Sequence, residues 1–154
     1  MKRVVQELIK YNKTISTMES CTGGAIVNAI TNIPNASCVI KFSAITYANE
    51  FKIKMGVHKE LIDKYSVYSM EVAHSMAYNI SHFTESNYGV GVTGKLKKQD
   101  PNNPFGNNDI VYLSIYDKDN DKYYDEEIKL CFDTRMDNKS QIIEVFIRKI
   151  LEII

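Results

Sequence analysis

The chain has 154 residues, 44% hydrophobic and 25% charged, which suits one soluble domain with a proper buried core. Nineteen basic residues balance nineteen acidic ones, so no global field draws in nucleic acid or an anionic membrane surface. The three cysteines, Cys21, Cys38 and Cys131, are odd in number and contain no CxxC pair. That argues against both a disulfide framework and a zinc site, and it fits a reducing cytoplasm.

Val4, Val5, Leu8 and Ile9 form one stripe of an opening amphipathic helix. Its charged and polar interruptions, Gln6, Glu7 and Lys10, make it neither a signal peptide nor a membrane span. A short β-leaning run over residues 14–18 then meets Glu19-Ser20-Cys21-Thr22-Gly23-Gly24 and an apolar segment that Pro34 closes. This reads as strand, tight turn, helix. Such a turn leaves backbone N–H groups at a helix start, which attract an anion or a developing oxyanion. The plainer alternative is that Ser20 or Thr22 caps the helix.

A β-rich run follows over residues 38–47, then two short helical pieces around residues 49–54 and 58–64. Ser69 predicts the N-cap of a longer helix whose apolar face is Val72, Ala73, Met76, Ala77, Ile80 and Phe83. Residues 88–94 alternate glycine with β-branched residues, a strand that another backbone or a ligand approaches closely. The segment 95–108, rich in Lys, Asn and Pro, predicts one long functional or mobile loop. Strands over 110–116 and 123–132 form a hairpin across an acidic turn at 117–121, which lacks the glycine and distal glutamate of a calcium loop. A continuous apolar stripe from Ile142 to Ile154 predicts the closing helix. The order implies a single three-layer α/β/α domain with a mixed sheet over 1–154. Ligands of such sheets sit at strand carboxyl ends, which picks out Ser20 to Gly24, Tyr47 to Lys52, and Thr93-Gly94.

Those residues carry a resemblance. Glu19-Ser20-Cys21-Thr22-Gly23-Gly24, Ile33-Pro34-Asn35-Ala36-Ser37, Thr46-Tyr47-Ala48-Asn49-Glu50-Phe51-Lys52, Val92-Thr93-Gly94 and Asp133-Thr134-Arg135 are similar to motifs of the CinA C-terminal domain, in the family's order. The resemblance implies hydrolysis of the carboxamide of nicotinamide mononucleotide to nicotinic acid mononucleotide and ammonia, with neither metal nor cofactor. It assigns nucleophile and proton transfer to Ser37, Tyr47 and Lys52, and further catalytic positions to Ser20 and Thr93. Thr22, Gly23, Gly24, Gly94 and Arg135 fall to substrate binding, the arginine on the phosphate. The implied partners are a small nucleotide and further copies of the chain. Cys21 ranks below the serines as a nucleophile, because His58, His74 and His82 offer it no clear partner.

One segment departs from the family. Where related chains carry a glycine-rich loop, residues 94–106 keep only Pro104-Phe105-Gly106 of its ending. Two readings follow. Arg135 holds the phosphate while Lys95, Lys97 and Lys98 add long-range attraction; or the domain is a catalytically weak module that binds a pyridine nucleotide.

Overall fold

The computed structural model describes residues 1–98 and 101–154. Five strands form one mixed sheet in the order β2-β1-β3-β4-β5. Strand β1 (Ile15–Glu19) lies in its interior, parallel to both β2 (Ile40–Ile45) and β3 (Tyr88–Gly94). Strands β4 (Ile110–Asp117) and β5 (Lys122–Lys129) complete the sheet in antiparallel fashion. Asp117 holds their connecting turn by accepting from the amides of Asp119 and Asn120. The acidic turn is therefore held by its own backbone donors.

The pleat sends alternate residues to opposite faces, and each face has its own core. On one side Ile15, Val90, Val92, Leu113 and Ile115 pack against α1 (Lys2–Lys10), α2 (Ala25–Thr31) and α6 (Arg135–Ile153). On the other, Met18 packs against Val72, Met76 and Ile80 of α5 (Met70–Thr84), together with Met55 and Val57, which follow α3 (Asn49–Lys54), and Leu61 and Ile62 of α4 (Lys59–Tyr65). Ser69 caps α5 by accepting from the Val72 amide at 3.3 Å. Thr134 caps α6 from Asp137 in the same way.

Gly89 and Gly91 of β3 face α5. A Cβ on Gly91 would lie 2.2 Å from the Ala73 carbonyl oxygen, and one on Gly89 would lie 2.0 Å from that of Ala77. Of the two sources of crowding that the alternation predicts, the neighbour is a backbone. Residues 36–39 are not strand, contrary to the extended run expected from 38 to 47. Ala36–Cys38 makes a single 3-10 turn, and β2 begins only at Ile40.

From β1 the chain crosses one sheet face through α2 to reach β2. It then crosses the other face through α3, α4 and α5 to reach β3 on the far side of β1. The carboxyl end of β1 is thus the point at which the connections part to opposite faces, the usual position of a ligand crevice in such sheets.

Candidate active site

Three segments expected to converge do so at that point. A cleft of about 430 Å³ is lined by Ser20, Cys21, Tyr47, Asn49, Gly94 and Arg135 among others. Ser20 follows the last residue of β1, and its amide donates to the Val92 carbonyl of β3 at 3.1 Å. Its side chain falls on the α3 face of the sheet. Lys52, one turn into α3, is 1% exposed. Its Nζ lies 3.1 Å from Ser20 Oγ, 2.6 Å from the Thr46 carbonyl oxygen and 3.3 Å from that of Tyr47.

This geometry has a chemical consequence. The two carbonyls only accept, so Lys52 turns N–H groups to them whether it is an ammonium or a free amine. Of these three contacts, the Ser20 hydroxyl is the one able to reverse. It accepts from the ammonium and donates to the lone pair of the amine. The lysine is thereby oriented to take a proton from Ser20 and to return one.

Glu19, next to Ser20 but on the opposite face, is 0% exposed. Its carboxylate accepts from the amides of Ile26 at 3.1 Å and Val27 at 2.8 Å, and from Thr17 Oγ1 at 3.2 Å. The first-turn amides of α2 expected to await an anion are therefore bound by a side chain of the chain itself. Neither Ser20 nor Thr22 caps α2. Gly24 occupies that position at φ +90°, after Gly23 at φ +62°, conformations that glycine adopts without steric cost. Thr22 is fully buried, and its hydroxyl has no partner among the described residues.

Tyr47 is 63% exposed, and its hydroxyl accepts from Arg135 at 3.2 Å. Arg135, the first residue of α6, also donates to the Lys95 carbonyl at 3.5 Å. Thr93 is fully buried and donates to the Val67 carbonyl at 2.9 Å, tying β3 to the segment before α5. Its hydroxyl proton is committed to that tie. Gly94 has no room for a side chain, since a Cβ would meet Val111 at 2.6 Å.

Ser37 is brought nowhere near this group. It is exposed in the 3-10 turn before β2. Because β2 runs parallel to β1, that turn lies at the amino end of the sheet. The six-residue strand separates it from Tyr47 by about 20 Å at ~3.3 Å per residue. Within one chain, Ser20 is the serine in contact with Lys52.

The three loop lysines are held differently. Lys95 is 4% exposed and donates to the carbonyls of Pro104 and Gly106, each at 3.1 Å. It ties the loop together while lining the cleft, so its charge stands at a fixed place on the wall. Lys97 lies 3.8 Å from Asp133; Lys98 is exposed on the cleft wall. Gln99 and Asp100, also part of the expected loop, lie outside the described residues. Cys21 is buried on the cleft wall, and burial pushes its thiol up to about 12, with Glu19 adding to the rise against the opposing effect of Lys52. At neutral pH the group is therefore a thiol and a poor nucleophile.

Among the described residues no group of three or more His, Cys, Asp or Glu is placed to hold a metal ion. No helix among them is long and apolar enough to cross a membrane.

A buried serine–lysine pair at the switch point of a mixed α/β sheet defines the class of domain. The chain belongs to the CinA C-terminal domain family, whose model matches residues 1–154. A Clostridium botulinum (strain Langeland) protein carrying the name competence-damage inducible protein is 46% identical over 112 residues, 71% of this chain and 27% of that protein. A Clostridium kluyveri (strain NBRC 12016) protein of the same name is 39% identical over 114 residues, 72% of this chain and 27% of its own length. The chain thus spans little more than a quarter of these curated relatives. The crystal structure of the competence/damage inducible protein CihA from Agrobacterium tumefaciens matches with TM-score 0.83 and 26% identity, over 95% of this chain and 90% of that one. The CinA superfamily protein of Klebsiella pneumoniae 700603 shares the fold with TM-score 0.89 at 17% identity, over 98% and 92% of the two chains.

Proposed function

We propose that this domain is an amidohydrolase that converts nicotinamide mononucleotide to nicotinic acid mononucleotide and ammonia. The observation that carries the reading is the Lys52 Nζ to Ser20 Oγ contact of 3.1 Å, made by a lysine held on two main-chain carbonyls. In this scheme Ser20 Oγ attacks the amide carbon while Lys52 takes its proton. Lys52 then protonates the departing nitrogen, and ammonia leaves an acyl-serine. Water, losing a proton to Lys52, hydrolyses that ester and restores the hydroxyl. Arg135 and the Tyr47 hydroxyl it touches, on the cleft wall, suit the phosphate end of the nucleotide.

The test is ammonia release from nicotinamide mononucleotide by the purified protein. Lys52→Met and Ser20→Ala should each lower turnover about 10³-fold or more, as loss of a base or nucleophile does. Turnover retained within tenfold by Lys52→Met rejects the mechanism. A second reading, a binding module with little turnover, is favoured by the loop after β3. There Leu96 and Lys97 occupy left-handed conformations at φ 52° and 63°, and Lys95 points at loop carbonyls. That reading predicts nucleotide binding with no ammonia release above the Lys52→Met control.

A further inference from the structure

A second cavity of about 610 Å³ adjoins the first, and the two share Asn49, Asn102 and Asn103. Asn49 Nδ2 donates to Asn103 Oδ1 at 2.7 Å. This bond joins the first residue of α3 to the loop after β3 and forms part of the wall between the cavities. The first cavity, at about 430 Å³, sits toward the lower end of the ~300–1,000 Å³ typical of ligand pockets. Alone it suits one nucleotide; joined to its neighbour it suits two.

The second cavity also has chemistry for a nucleoside. Phe105 and Tyr65 are on its wall, 77% and 40% exposed, and exposed aromatic rings stack planar bases with little regard to base identity. The Lys64 ammonium stands 4.8 Å from the centre of the Tyr65 ring and brings a positive charge to the same wall. Asp63, the acidic residue of that wall, pairs with Lys59 at 2.5 Å.

We infer that the second cavity is a subsite for a second nucleoside unit, and that the Asn49–Asn103 hydrogen bond is the partition limiting the reaction to mononucleotides. The ligand class that spans both cavities is a pyrophosphate-linked dinucleotide bearing a pyridine carboxamide. This inference rests on the amidohydrolase reading for its reaction, though not for its binding.

The experiment compares nicotinamide mononucleotide with nicotinamide adenine dinucleotide, by ammonia release and by calorimetric binding. The proteins are the unmodified chain, Asn103→Ala, and Asn103→Ala combined with Phe105→Ala. Asn103 lies in a surface loop, which leaves the folded core in place. Asn103→Ala should raise kcat/KM for the dinucleotide relative to the mononucleotide at least tenfold, and tighten dinucleotide binding by a similar factor. The added Phe105→Ala should remove most of that gain. If the mononucleotide is hydrolysed while Asn103→Ala changes neither ratio nor binding, the partition is wrong and the amidohydrolase reading stands. If no protein releases ammonia, that reading fails, and the binding series still decides the subsite. A gain that survives Phe105→Ala overturns the aromatic subsite.

Discussion

Replacing Glu19 tests how the turn before α2 is held. Its carboxylate binds two amides of the first helical turn and the Thr17 hydroxyl in a fully buried setting. Glu19→Ala leaves those amides without their acceptor. A hydrogen bond to a charged group contributes about 1.5–3 kcal/mol, and loss of a helix cap costs about 0.5–2 kcal/mol. Part of this is offset because a buried carboxylate no longer has to be desolvated. The net loss expected is about 2–4 kcal/mol. Glu19→Gln keeps one carbonyl oxygen for one amide and turns an NH₂ towards the other, so it should fall between, at about 1–3 kcal/mol. Urea unfolding followed by circular dichroism measures both. The expected order of midpoints is unmodified chain, then Gln, then Ala. An Ala variant within about 0.5 kcal/mol of the unmodified chain would refute the capping argument, since no buried cap is worth so little. Because Ser20 is also pinned through its amide to Val92, Glu19→Gln should lower kcat/KM less than Lys52→Met does.

Four further outcomes follow from the same geometry. Gly91→Ala would place a methyl 2.2 Å from the Ala73 carbonyl oxygen and 2.7 Å from the Ala77 amide; thermal unfolding should show a loss of at least about 2 kcal/mol through overpacking against backbone. The Cys21 thiol, with an ordinary value of 9.0, is raised in the folded chain to about 12 by burial. The folded state therefore holds this proton more tightly, and the stability it contributes is full below about pH 9 and drains as pH climbs through 12. Its slope reaches about 1.4 kcal/mol per pH unit, and Cys21→Ala should flatten the alkaline side of a denaturation profile. Ser37→Ala should leave ammonia release within about twofold of the unmodified chain, an effect on the order of 0.4 kcal/mol. A collapse equal to that of Ser20→Ala would move the nucleophile to Ser37 and require a second chain to deliver it. Arg135→Ala should weaken nucleotide binding by about 1.5–3 kcal/mol, the range for hydrogen bonds to charged groups. The dephosphorylated riboside should lose far less, and equal losses in calorimetry would mean that the arginine does not read the phosphate.

The elements with strong periodicity were legible before the structure. The Ile142, Phe146, Ile150 stripe of α6 and the Ser69 cap of α5 fall where the pattern puts them. The carboxyl-end rule also gathered Ser20, Tyr47, Lys52 and Gly94 correctly, because chain direction in a parallel pair decides which end a residue occupies. The same logic applied to Ser37 would have placed it at the opposite end. A residue that precedes a strand parallel to β1 cannot share a cleft with one that follows β1 in the same chain. Glu19 escaped notice because motif reading treats neighbours as one site, whereas the pleat turns Glu19 and Ser20 to opposite faces. Its partners, seven and eight residues onward, carry no side-chain signature, since only their amides are used. The tie that Lys95 makes is hidden from the sequence for a related reason. Lysine is ordinarily a solvated charge, and the carbonyls that hold it belong to residues 104 and 106, across a loop whose path the sequence leaves open.

The oxygens of residues 46 and 47 to which Lys52 donates are main-chain atoms, so they survive any replacement of the side chains there by another amino acid. Thr46 is buried, and packing restricts what can stand there. Tyr47 is mostly exposed and lines the cleft, which leaves that position open to change. Under the proposed function, substrate preference can therefore drift at position 47 while the aim of the amine on Ser20 is inherited unchanged. The oxygen that orients the amine and the side chain that faces the cleft belong to the same residue but are different atoms of it, and selection can act on one without disturbing the other.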